Sequence, residues 1–248
     1  MAEEWPRVRP HPAFRVATTE YFGAVSRSIL GVCWKSPVQA AFRFSSSLIF
    51  SHMCFNLFFL FLAEEKYLQL LTHIFTTDGV IEEAGFEAVL DASEGTNFDF
   101  CFRTSKSKTL FEIKLTESDF GKAKSDSSHV SKFNDIYSPA LNGKFAPGFS
   151  TCDVFLEHYQ LMRNVWNLGV GTGDKLVCIV PKANGSLAKE IRFLKNCLSE
   201  PYRQRVSVHY LEDVTATVQK TIPDDAIRMK EHFRMFRGKY LPDFEEAR

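Results

Sequence analysis

Asp99 and the triplet Glu112-Ile113-Lys114 are the residues of this chain whose types and spacing could do chemistry. Two carboxylates with a backbone carbonyl make a hard-oxygen site of the kind that holds Mg²⁺ or Mn²⁺. Such an ion stabilises charge on a phosphate and lowers the pKa of bound water. Lys114 stands two residues after Glu112, so on a strand it points to the same face. Its ammonium could hold an attacking water or the charge developing on a phosphate. The triplet by itself is a weak signal. An acid two residues before a lysine is expected about twice by chance at average composition, and it occurs twice here, at Glu112 and at Glu64.

The elements around the two occurrences separate them. Residues 98–103 alternate, with Phe98, Phe100 and Phe102 on one face and Asp99, Cys101 and Arg103 on the other. Residues 109–115 alternate as well, with Phe111, Ile113 and Leu115 opposite Leu110, Glu112 and Lys114. The polar residues 104–108 between them make a hairpin. Neighbouring strands lie about 4.8 Å apart, so acids near one another in register can share one ion. Glu64-Glu65-Lys66, by contrast, falls in a helical stretch. The competing reading of the hairpin is an exposed face with an ordinary cross-strand ion pair.

The rest of the chain supplies flanking elements. Ser36-Pro37 is a helix start, with Ser as cap and Pro in the first turn. A long, broken helical region then runs to about Phe75, and Asp78-Gly79 marks a turn. Residues 86–91 suggest a short strand. Residues 117–150 read as a polar excursion with one or two short helices. Residues 153–168 form a helix with a stripe of Phe155, Tyr159, Met162 and Trp166. Residues 175–181 read as a buried strand, 187–198 as a helix, 206–211 as a last strand and 227–240 as a closing helix. Residues 1–35 read as an N-terminal arm and 36–248 as a single domain. The whole is an α/β arrangement with helices flanking a central sheet.

Composition narrows the classes. The chain has 248 residues, 45% of them hydrophobic and 24 of them Phe, enough for one large aromatic-rich core. Formal net charge is zero, so a nucleic-acid partner would have to be met by local patches. Basic residues cluster at 103–132 and 228–239, both interleaved with acids. The six cysteines show no CxxC spacing, which argues against a zinc ribbon or redox motif and fits a reducing cytoplasm. The apolar run 48–63 is short for a membrane span and contains Ser51, His52 and Asn56, so it reads as a buried helix. The glycine-rich run 169–175 has the wrong spacing for a phosphate loop. His129 and His158 fall where they could lie near the hairpin.

The runs Asn97-Phe98-Asp99-Phe100 and Leu110-Phe111-Glu112-Ile113-Lys114-Leu115-Thr116-Glu117 resemble the core of the PD-(D/E)XK nuclease superfamily. Ser118-Asp119-Phe120-Gly121-Lys122 and Tyr159-Gln160-Leu161-Met162-Arg163-Asn164 are similar to a bacterial group of restriction-endonuclease-like proteins. The resemblance covers most of residues 45–240 and is strongest over 97–121 and 157–182. It implies a restriction-endonuclease-like core, a central mixed sheet flanked by helices. It implies Asp99 and Glu112 as metal ligands, joined by the Ile113 carbonyl, with Lys114 as the catalytic lysine and Gln160 supporting the site. An acid on the first helix often assists in this superfamily, and Glu64 or Glu65 could fill that place. Phe98 stands where the name motif has Pro, a common departure. The expected activity is a Mg²⁺- or Mn²⁺-dependent endonuclease acting on DNA, with a homodimer expected by analogy. Two rivals stay open: a nuclease-like fold that only binds nucleic acid or a protein, and an unrelated α/β protein that binds a small molecule.

Overall fold

The computed structural model describes residues 48–91, 94–141, 143–170 and 172–241, with side chains from Met53 onward. The expected arm 1–35 and the helix start at Ser36-Pro37 lie outside the described residues.

Helix α1 (Leu48–Ala63) is apolar all round, and such a helix must be covered on every side. It lies between the sheet and the last helix, α10 (Ile227–Tyr240). Phe58 stacks on Phe100 at 4.1 Å between centroids and meets Phe111 edge-on at 5.1 Å. On its outer side Phe61 meets Phe233 of α10. No helix among the described residues is long and apolar enough to cross a membrane. After α1 the chain makes a 3-10 turn (Glu65–Tyr67) and the short α2 (Leu70–Ile74), then enters the sheet.

Five strands form one sheet in chain order: β1 (Ile81–Val89), β2 (Asn97–Thr104), β3 (Lys108–Ile113), β4 (Lys175–Val180) and β5 (Val206–Tyr210). The first three pair antiparallel, while β3–β4 and β4–β5 pair parallel. A parallel pair needs a crossover. Between β3 and β4 it consists of α3 (Ser127–Lys132), a π-helical turn (Phe133–Tyr137), α4 (Ser138–Leu141), α5 (Cys152–Glu157) and α6 (Tyr159–Trp166). Helices α7 (Gly185–Cys197) and the one-turn α8 (Tyr202–Arg205) lead to β5, and α9 (Leu211–Thr221) leads on towards α10. The fold is thus α/β, a mixed sheet flanked by helices, as the sequence led us to expect.

Two core layers cover the sheet. One joins α1, α2, α9 and α10 to Phe100, Phe102, Phe111 and Ile113. The other joins the crossover helices and α7 to Phe98, Cys101, Leu110 and Cys178. Phe98 therefore does not share a face with Phe100 and Phe102, contrary to the alternation of the sequence. The pairing of β2 with β3 ends at Phe100↔Phe111, and opposite this point Glu87 of β1 has a left-handed backbone, φ 50°. The strand rolls across Asp99, and Phe98 follows Ala88 into the second layer. The expected helix 153–168 is two helices, broken at His158 (φ −119°, ψ 39°).

Candidate metal centre

Asp99 lies at the roll in β2, where the two hairpin strands part. Its Oδ2 accepts the backbone N–H of Ile113 at 2.6 Å, replacing the strand partner that β2 no longer supplies. No donor among the described residues reaches its other oxygen. The Cys54 thiol of α1 rests on the Asp99 carbonyl at 3.4 Å. Burial pushes the Asp99 carboxyl well above the usual aspartate value, and the neighbouring charge of Glu112 pushes it further.

Glu112, near the end of β3, is 1% exposed. A buried carboxylate requires donors, and helix α6 provides them. Gln160 Nε2 donates to Oε1 at 2.7 Å and Asn164 Nδ2 to Oε2 at 3.1 Å. The two amides are one helical turn apart, so one face of α6 presents both. Asn164 is fully buried, and its Oδ1 has no hydrogen-bond partner. Lys114 Nζ sits 2.9 Å from Glu112 Oε1 and 3.9 Å from Glu117 Oε1. Burial lowers the Lys114 pKa, but Glu112, Asp99 and Glu117 together more than offset it and hold the ammonium charged. The Lys114 backbone N–H donates to the Ile179 carbonyl, so this residue still rides on the sheet.

The loop after β3 closes against α6. The Gln160 N–H reaches the Gly121 carbonyl at 3.5 Å. Gly121 has φ +89°, and its N–H is fixed by Asp119 Oδ1 at 2.8 Å. A side chain there would be strained and would start 3.7 Å from Gln160 Oε1.

The structure brings Asp99, Glu112, Lys114 and Gln160 together. The Ile113 carbonyl belongs to the last residue of β3, beside Glu112. Glu64 and Glu65 are not brought there. Cys54 marks where α1 meets Asp99, and Glu64 lies ten residues further on, roughly 15 Å along a helix at 1.5 Å per residue. Glu64 instead faces Arg228 of α10 at 3.8 Å. Its place beside Asp99 is taken in part by Glu87, whose charge adds to the upward shift of the Asp99 carboxyl and whose carboxylate accepts from Asn97. Asn164 was not anticipated. The available signal was its spacing of four from Gln160, which places both amides over one carboxylate.

Among the described residues, no group of three or more His, Cys, Asp or Glu is arranged to hold a metal ion. A carboxylate pair suits an ion that keeps several waters, as Mg²⁺ does. The open Asp99 oxygen, the unpartnered buried Asn164 Oδ1 and two close acids all fit an added cation. The basic clusters are largely paired: Arg103 with Glu82 and Glu83, Lys122 with Glu157, Lys230 with Asp224 and Arg234 with Glu231. His129 is bonded to Asp126 beside it, and His158 to Glu190 of α7.

A family model described as Restriction Endonuclease associating with ARP matches residues 41–241, which include every element described above from α1 to α10. No curated protein and no solved structure matches the chain. With that match over most of its length, and with a five-stranded mixed sheet of the expected kind, the chain belongs to the family described as Restriction Endonuclease associating with ARP.

Proposed function

We propose that this protein is a metal-dependent nuclease that hydrolyses DNA phosphodiester bonds, with Mg²⁺ or Mn²⁺ held by Asp99, Glu112 and the Ile113 carbonyl. The observation that carries this reading is the Lys114 ammonium at 2.9 Å from Glu112 Oε1, with the Asp99 carboxyl, pushed up by burial and by Glu112, next to it. When bound, the ion supplies Lewis-acid stabilisation of a phosphate and acidifies water. Asp99 and Glu112 provide its hard-oxygen ligands. Gln160 and Asn164 fix the plane of the Glu112 carboxylate. Lys114, kept charged by its acidic neighbours, orients the attacking water and meets the charge that grows on the phosphate. On this reading DNA is the partner, the cytoplasm is the compartment, and two chains pair where both strands are cut.

Purified protein with Mg²⁺ or Mn²⁺ should cut plasmid or linear DNA. Glu112→Ala and Lys114→Ala should remove the activity while keeping the fold by circular dichroism. Equal cutting by the variants would sink the assignment.

The full hydrogen bonding of Glu112, already engaged by three donors, favours a second reading. In it the fold binds nucleic acid or a protein without catalysis. Calorimetric titration with Mn²⁺ separates the two, because a purely binding module needs no metal uptake at this site.

A further inference from the structure

The proposed site has a group to handle the attacking water but none to protonate the oxygen that leaves. A dyad beside it is built for that task. His158 occupies the break between α5 and α6, two residues before Gln160. Its Nδ1 lies 3.0 Å from Glu190 Oε1. The other Glu190 oxygen accepts the Phe120 N–H at 3.2 Å, which fixes the carboxylate. The Phe193 ring covers the imidazole, with centroids 4.9 Å apart. A carboxylate on Nδ1 holds the ring in one orientation and leaves Nε2 to do chemistry. Nε2 has no hydrogen-bond partner among the described residues, and the side chain is 18% exposed.

The dyad and the metal pair share the same loop. Phe120 holds Glu190, and Gly121 next to it holds the backbone of Gln160, whose side chain holds Glu112. Cys178 is the strand partner of Glu112; burial raises its thiol pKa, Glu112, Asp99 and Glu190 add to the shift, and Lys114 opposes it. The charged groups facing His158 are Glu190 from α7 and Glu157 from α5, the latter paired with Lys122.

We propose that His158, oriented by Glu190, donates a proton to the leaving oxygen of the cleaved diester. This rests on the phosphodiesterase reading above. The oxygen of the attacking water bonds to phosphorus and its spare proton passes to solvent, while the phosphorus–oxygen bond to the leaving group breaks with its electron pair on the leaving oxygen. The Nε2–H proton transfers to that oxygen, and the neutral imidazole regains a proton from solvent.

The test compares two DNA substrates, one natural and one with sulfur replacing the leaving oxygen at the bond the wild type cuts. A thiolate leaves without a proton. With Mn²⁺, His158→Gln should slow cleavage of the natural bond by about 10²-fold or more and of the sulfur bond by less than tenfold. Glu190→Gln should show the same contrast with a smaller loss, and it carries the comparison if His158→Gln does not fold. Equal losses on both substrates overturn the proposal, as does a wild type that cuts the natural bond and fails on the sulfur one. A wild type that cuts neither overturns the phosphodiesterase reading itself and takes this proposal with it.

Discussion

The carboxylate of Asp99 takes the backbone amide of Ile113 at 2.6 Å. A side chain thus completes the edge of β3 at the point where the backbone of β2 turns away. The bond places an acid in a half-buried position beside a second, fully buried acid, Glu112, and the protein without metal bears the cost.

Removing that charge should therefore stabilise the metal-free protein. Asp99→Asn keeps an acceptor for Ile113 and relieves the repulsion with Glu112. We expect a gain on the order of 1–2 kcal/mol, or a few degrees in Tm, in a melt with chelator. Between the usual aspartate pKa and the raised one, the folded chain keeps a proton that the unfolded chain has lost. Stability of the wild type should then fall as pH rises through that window, and Asp99→Asn should flatten the slope. A lower Tm for the variant in chelator would contradict this account.

Adding metal should reverse the order of the two proteins. Mn²⁺ at a hundred times its Kd stabilises a folded protein by about 2.7 kcal/mol. Wild type should gain that, while Asp99→Asn and Glu112→Gln gain little. Thermal shift against Mn²⁺ concentration reads the difference directly.

Asn164→Ala removes a donor from a buried carboxylate and should destabilise the fold by about 1–3 kcal/mol. Gln160→Ala should cost less, because Gln160 is only half-buried and water can replace it. Urea unfolding of the two variants in chelator gives the ranking; a more damaging Gln160→Ala would show that the clamp is organised differently.

The buried Lys144 donates to the carbonyls of Trp166 and Leu168, both at 2.7 Å, and so caps the end of α6. Burial, helped by Arg205, lowers its pKa to about 8. Between that value and the ordinary lysine value the unfolded chain binds more protons, so stability should rise with pH across the window. Lys144→Met should abolish this rise and lower stability near pH 7 by about 1–3 kcal/mol, since the carbonyls of Val165, Trp166 and Leu168 lose their donor. Urea midpoints from pH 7 to 10 test both signs.

Period-two alternation on 98–103 and 109–115 was enough to read the hairpin and to single out Asp99, Glu112 and Lys114, while their roles came only from the resemblance. It failed at Phe98, because alternation assumes a strand that keeps its pairing, and this one rolls where Asp99 replaces a backbone partner. Helix α9 was hidden for another reason. Val214, Thr215, Thr217, Val218 and Thr221 are β-branched and read as strand-formers, yet Leu211, Val214 and Val218 bury one helical stripe. The break at His158 left no trace, since the stripe of Phe155, Tyr159 and Met162 runs through it. Glu64 and Glu65 drew attention as acids on the first helical region, but sequence does not reveal which end of α1 meets the sheet.

Glu94, in the turn between β1 and β2, accepts from Arg163 at 2.7 Å, from Tyr137 at 2.5 Å and from the Thr96 N–H at 2.7 Å. Burial alone would raise its pKa, and these bonds override it and hold the carboxyl below its ordinary value. Arg163 stands on α6 between Gln160 and Asn164. The hairpin that carries Asp99 and the helix that steers Glu112 are therefore geared together through one buried ion pair. On the proposed nuclease reading, a load on the turn between β1 and β2 would pass through Arg163 into the helix that holds Glu112, so the turn and the two acids would answer as one rigid piece.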